Sequence, residues 1–350
     1  MRKIFCIALP FLLTGPGRAD QIAEADALPP HAIAQIQIEV TQPVHQLLYV
    51  PDRKTLVVQS YYQKLRILDV ETGRELRTLE WPASDGEIGR IMISPDGKTL
   101  AAAGHNESCI RLWELATGKE LRVIRVKGHE MTAGIHGLGF RVVGFGLSGL
   151  AFSPDGKILA AARRKEGVRL WEVNTGKPLP ESTIKGEFTD VCFSPDGKSL
   201  ACTDGVGVLH VVSRASGKEV LSLKCDGTGN LSRVVFSPDS RFLAAVCERT
   251  VIVWEATTGK VCRCYGHPEY VTEIAFSPDG HWLASGCWDK LARLWEVRTD
   301  SEHLNGDMER LALAGHAGFV DTVAFSPDGK ELVTGGWDTV IYRWGIPASP

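Results

Sequence analysis

The chain has 350 residues, 44% apolar and 23% charged, an ordinary globular composition with enough length to bury a large core. A formal net charge of −3 and a pI of about 6.4 exclude a global basic field, so nucleic acid is not an expected partner. Nine cysteines at 6, 109, 192, 202, 225, 247, 262, 264 and 287 show neither CxxC nor metal-ligand spacing. Most fall in apolar runs, and the expectation is buried thiols acting as small hydrophobes, not a disulfide framework.

Arg2 and Lys3 precede an apolar run from Ile4 to Leu13, followed by Gly17-Arg18-Ala19 as a small-residue cleavage site. Residues 1–19 therefore have the form of a signal peptide, with Pro10 and Arg18 as departures from it. The run is too short to span a bilayer. The expected location is secreted or periplasmic if the segment is cleaved, and cytoplasmic otherwise, with no membrane span in the mature chain. Residues 20–30, acidic, Ala-rich and ending in Pro29-Pro30, read as a linker.

From there the chain repeats. A Phe-Ser-Pro-Asp-Gly turn, complete or degenerate, recurs with its Pro at 51, 95, 154, 195, 238, 278 and 327. Pro presets φ at the first corner, Asp suits the second, and Gly accepts the positive φ that closes the hairpin. A period in the low forties with such a turn predicts an all-β, seven-bladed propeller over residues 31–347. The expected blades are 44–81, 88–129, 148–186, 188–226, 231–267, 270–315 and 319–346. Within each, strands a to c are apolar because both faces pack on neighbours, while outer strand d alternates. The seventh repeat supplies only three strands, and residues 33–40, with the alternating Gln35–Val40 run, provide the missing one and close the ring.

Arg-Leu-Trp-Glu occurs at 111–114, 169–172 and 293–296, Ile252-Val253-Trp254-Glu255 is a variant, and Gly-His appears at 128–129, 266–267 and 315–316. With these residues the chain resembles WD40-repeat β-propellers of the bacterial kind over residues 33–346. Most repeats carry Trp-Glu for the family's Trp-Asp; Leu68-Asp69 and Val212-Ser213 replace it in blades 1 and 4. The resemblance implies a structural hydrogen-bond tetrad, met by His267, Ser285, Asp289 and Trp295 in blade 6 and by His316, Thr334, Asp338 and Trp344 in blade 7. Because the sets repeat at equivalent positions, they read as structural devices and not as a hydrolase triad. Removing Asp289 is then expected to strand a buried imidazole donor.

No catalytic, metal or cofactor motif is present. The glycines of 134–149 have the wrong spacing for a nucleotide loop. That loop is instead a 14-residue apolar insertion, since His129 to Phe152 spans 23 residues against nine from His267 to Phe276. It carries Phe140 and Phe145, and reads either as a binding element or as a channel plug. Aligned on strand c, Tyr61, Trp288 and Trp337 fall at one turn position of consecutive blades, with Tyr270 and Phe319 nearby in sequence; blade 3 places Arg163, Arg164 and Lys165 there. An aromatic arc opposite a basic sector suits a protein or peptide partner. The expectation is a monomeric, non-catalytic interaction platform without cofactor, binding over the face that bears the d–a loops and b–c turns. The alternatives are a hydrolase- or lactonase-like propeller enzyme, or the sensor part of a larger secreted assembly.

Overall fold

The computed structural model describes residues 31–37, 42–60, 64–104, 109–126, 147–163, 166–179, 184–225, 229–297 and 309–347. Their strands form seven antiparallel sheets, six of four strands and one of three. Blade 1 runs Val44–Tyr49, Thr55–Ser60, Lys64–Asp69 and Glu75–Glu80, and the same a-b-c-d meander repeats around the chain. The innermost strands of consecutive blades touch in turn, and that of blade 7, Val320–Phe325, returns to Val44–Tyr49, so the ring is closed.

The turns show why Ser-Pro-Asp-Gly recurs. In blade 2 Ser94 Oγ donates to Asp96 Oδ1 (2.6 Å), accepts the Thr99 N–H (2.9 Å), and Gly97 sits at φ 71°. Two side chains and one glycine thus satisfy the turn and fix the step from strand a to strand b.

The closing strand is Ala32–Gln37, which pairs antiparallel with Val340–Gly345, Ile36 opposite Ile341. Residues 38–40 of the expected strand lie outside the described residues. Blade 3 differs from expectation. Among the described residues it has three strands, Leu147–Phe152, Ile158–Arg163 and Gly167–Glu172, with the bridges Val168–Ile184 and Trp171–Pro178 where strand d is expected. Blade 4 is a complete four-stranded sheet despite lacking Trp-Glu, because Val211 and Val212 fill the same buried positions of strand c.

The core lies between blades. One apolar cluster fills each seam: Trp113 with Leu65 between blades 1 and 2, for example, and Trp344 with Leu294 between 6 and 7. Side chains of the inner strands add hydrogen bonds across the same seams. Second-position hydroxyls donate to the next blade's first carbonyl, as Thr189 to Leu231 (3.0 Å) and Thr272 to Val320 (2.6 Å). Third-position oxygens accept the next blade's fourth N–H: Gln46 from Ile91 (3.0 Å), Asp190 from Val234 (3.1 Å) and Thr322 from Leu47 (3.0 Å). Each satisfies a buried backbone group that the neighbouring sheet cannot reach. In blade 3 this third position is Gly149, where an added Cβ would lie 2.7 Å from Asp190 Cα.

One expectation about sulfur is corrected. Cys225, after strand d of blade 4, is disulfide-bonded to Cys247 at the end of strand b of blade 5. The two are 22 residues apart in sequence, and the folding of adjacent blades brings their side chains together. Cys192, Cys202 and Cys287 keep their thiols in the blades; burial holds each thiol above its usual pKa, as small hydrophobes require.

Candidate protein-interaction site

In blades 6 and 7 strand b ends one residue before a Trp, and strand a begins one residue after an aromatic. Backbone hydrogen bonds clamp each pair: Trp288 N–H to the Tyr270 carbonyl (3.0 Å) and Trp337 N–H to the Phe319 carbonyl (2.9 Å). Gly336 permits that approach, since a Cβ there would meet the Phe319 carbonyl oxygen at 1.8 Å. Sequence and turn geometry thereby bring four aromatic rings onto the upper face, the one with the d–a loops and b–c turns.

The rings form a continuous ladder. Tyr270 meets Trp288 edge-on at 5.3 Å, Trp288 stacks on Phe319 at 5.3 Å with planes 17° apart, and Phe319 meets Trp337 edge-on at 5.9 Å. The Arg249 guanidinium lies 5.3 Å over Tyr270 and pairs with Glu269 at 3.3 Å. Exposure remains high despite this mutual contact: 41% for Tyr270, 43% for Trp288, 36% for Phe319 and 47% for Trp337. Large apolar side chains contiguous and this exposed are the surface signature of a docking site.

Other expected members of the surface fall elsewhere. Tyr61, Phe140, Phe145, Arg164 and Lys165 lie outside the described residues. Arg163 is held by Glu166 at 2.7 Å and is largely covered, so it contributes no open positive charge opposite the ladder. Sequence reading did not single out Arg249, whose position next to Glu248 in the b–c turn of blade 5, equivalent to the Trp turns, was the available signal.

Beneath the ladder lie the two hydrogen-bonded sets. In blade 7 His316 Nε2 meets Thr334 Oγ1 (2.7 Å), Trp344 Nε1–H donates to the same oxygen (2.8 Å), and His316 Nδ1 meets Asp338 Oδ2 (2.9 Å). Asp338 also accepts the Ala317 N–H. Burial opposes its ionisation, but these hydrogen bonds and the His316 ring hold its pKa below the ordinary carboxylate value.

Blade 6 departs from the expected set. His267 Nε2 meets Ser285 Oγ (2.8 Å), which also accepts the Trp295 Nε1–H (2.8 Å), but Nδ1 faces the Tyr265 carbonyl (3.1 Å). Asp289 instead accepts from Arg293 (3.1 Å). The cause is the third residue of strand c: Arg293 captures the carboxylate in blade 6, whereas the corresponding Tyr342 packs edge-on against His316 (4.8 Å) and leaves Asp338 to the imidazole. Burial, and then the Arg293 charge, lower the His267 pKa to about 4. Ser285 and Thr334 are fully buried with their hydroxyls engaged, an arrangement that holds strands together and presents no nucleophile.

Seven radially arranged sheets closed by the chain's first described strand define a β-propeller. The family model for "WD domain, G-beta repeat" matches residues 217–255, 259–296 and 309–345. Each match joins strand d of one blade to strands a–c of the next. These matched repeats are WD40 repeats and support a WD40-repeat β-propeller. The chain is 25% identical over 258 residues to target of rapamycin complex subunit wat1 of Schizosaccharomyces pombe, covering 71% of this chain and 76% of that protein. It is 21% identical over 260 residues to THO complex subunit 3 of Arabidopsis thaliana (73% and 77%), and 25% over 268 residues to nuclear distribution protein PAC1 of Arthroderma otae (68% and 55%). All three come from eukaryotes and lend no support to the bacterial kind expected from the sequence.

Proposed function

We propose that this propeller is a non-catalytic platform that docks a protein or peptide over its upper face, with Tyr270, Trp288, Phe319 and Trp337 as the anchor. The observation that carries the reading is the exposed ladder itself, rigid because each ring rests on the next and each turn is clamped by backbone hydrogen bonds. Pre-ordered aromatics give up little conformational freedom on binding, so their buried area converts efficiently into affinity. Two of the relatives are named as complex subunits, which favours an assembly role. Affinity capture with the wild-type chain and with a Trp288→Ala/Trp337→Ala variant tests it: a partner retained by both folded proteins alike places the docking surface elsewhere.

The proposal includes an extracytoplasmic location and a monomeric propeller. The charged and apolar pattern of residues 1–19 and the Cys225–Cys247 bond support the location, since disulfides persist in oxidising compartments. N-terminal sequencing of the protein isolated from its native host tests it, and an uncleaved Met1 in a cytoplasmic fraction overturns it. Light scattering of the purified chain tests the oligomeric state.

A further inference from the structure

The central channel holds features that the upper face does not use. At its waist the third residues of the inner strands converge, and Arg90 of blade 2 reaches Glu273 of blade 6, Nη1 to Oε2 at 2.7 Å. Arg233 of blade 5 brings a second guanidinium to the same carboxylate, Nε 3.4 Å from Oε2 but without hydrogen-bond geometry. Asp190 gives both of its oxygens to backbone N–H groups of Val191 and Val234. Two buried donors, Arg90 Nε and Arg233 Nε, therefore have no acceptor among the described residues. A buried charged donor left without an acceptor is unfavourable, so a group that supplies one is stabilised there.

Directly below, the channel opens into a cavity of about 340 Å³ that includes Arg90 and Glu273 in its lining. Its walls are mostly apolar and include Leu48, Met92, Val235, Ala275 and Ala324, the fifth residues of the inner strands of blades 1, 2, 5, 6 and 7. A polar donor at one end of an apolar-walled cavity is the layout of a small-molecule site.

We propose that the lower channel binds an apolar monocarboxylate, its head accepting the Arg90 Nε–H beside Arg233 and its tail lying along Leu48, Met92, Val235, Ala275 and Ala324. The acidic groups around the head are Glu273, Asp190 and Asp321, the last at a greater remove through its effect on Arg233. Glu273 is matched by Arg90, and burial holds Asp190 above the usual carboxylate range. Burial, and then the neighbouring Arg90 charge, hold the Arg233 guanidinium below its ordinary range, so an incoming carboxylate relieves repulsion between the two cations.

Isothermal titration of the full chain with sodium decanoate tests this, with acetate as a head-only probe and decan-1-ol as a tail-only probe. The expected result is saturable one-to-one binding of decanoate, with both partial probes at least about tenfold weaker. Ala324→Phe, which fills the cavity without touching the ion pairs, should abolish binding with the fold retained by circular dichroism. Ala275→Leu serves the same purpose if Ala324→Phe does not fold. Arg233→Met should weaken decanoate about tenfold or more and leave decan-1-ol unchanged. No saturable decanoate binding means that water alone serves the orphan donors and overturns the proposal. Binding that survives cavity filling overturns it equally.

Discussion

Trp288 and Phe319 lie nearly parallel with ring centroids 5.3 Å apart, yet one belongs to a turn of blade 6 and the other to the loop entering blade 7. The stack therefore crosses a blade seam at the surface, above the buried cluster that fills the same seam. A surface assembled this way depends on the ring and adds little to it.

Replacing Trp288 and Trp337 together with Ala should cost about 2 kcal/mol or more in partner binding and only a few tenths of a kcal/mol to about 1 kcal/mol in stability, because both rings are more than two-fifths exposed. Thermal melts and captured-partner affinity on the same variant check it. A collapsed melting temperature with unchanged affinity per folded molecule would make the ladder blade packing.

Deleting residues 31–37 removes the outer strand of blade 7, exposes the edge of Val340–Gly345 and uncovers Ile36's buried neighbours Val44 and Ile341. A fall in melting temperature of at least about 10 °C, or failure to fold, is expected. An unchanged melt would show that closure does not rest on this pairing.

His267 should make stability depend on pH. Its folded pKa of about 4 lies below the ordinary imidazole value of 6.5, so between these values the unfolded chain binds more protons than the native one. Stability is therefore fully present above about pH 6.5 and lost as pH falls towards 4, by roughly 3 kcal/mol for this group. Urea melts at pH 7 and pH 4.5 should show a smaller difference for His267→Gln than for the wild type. Equal pH slopes would mean that the imidazole is not held neutral in the fold.

The Cys225–Cys247 bond closes a loop of about 22 residues between two blades. Loop-closure entropy assigns it about 3 kcal/mol. Cys225→Ala/Cys247→Ala should melt below the wild type, and dithiothreitol should lower the wild-type melt but leave that variant unmoved. Identical melts with and without reductant would count against a contribution to stability.

What the sequence makes legible is whatever repeats locally. The Ser-Pro-Asp-Gly turns, the three apolar inner strands and the spare alternating strand each follow from residues within one hairpin, so the seven sheets and their closure could be read from periodicity. The Trp turns were visible for the same reason. Contacts between blades were harder. The Asp289–Arg293 pair required noticing that Arg293 replaces Tyr342's counterpart within strand c. Cys225 and Cys247 meet only after two sheets pack, and Arg90 and Glu273 are 183 residues apart in sequence. No local period encodes such pairings, although aligning the third residues of the inner strands would have gathered Gln46, Arg90, Asp190, Arg233, Glu273 and Thr322 into one ring.

Gly149 stands alone in that alignment as the position without a side chain, and there the backbone of blade 4 lies closer than van der Waals contact to where a Cβ would be. The seams consequently have individual lock-and-key fits. Blade 3 is shaped to receive blade 4, and Gln46 of blade 1 is shaped to receive the backbone of blade 2. Seven copies of one motif have become seven parts with fixed places, so exchanging two of them within this chain would break the circle even where their strands and turns match.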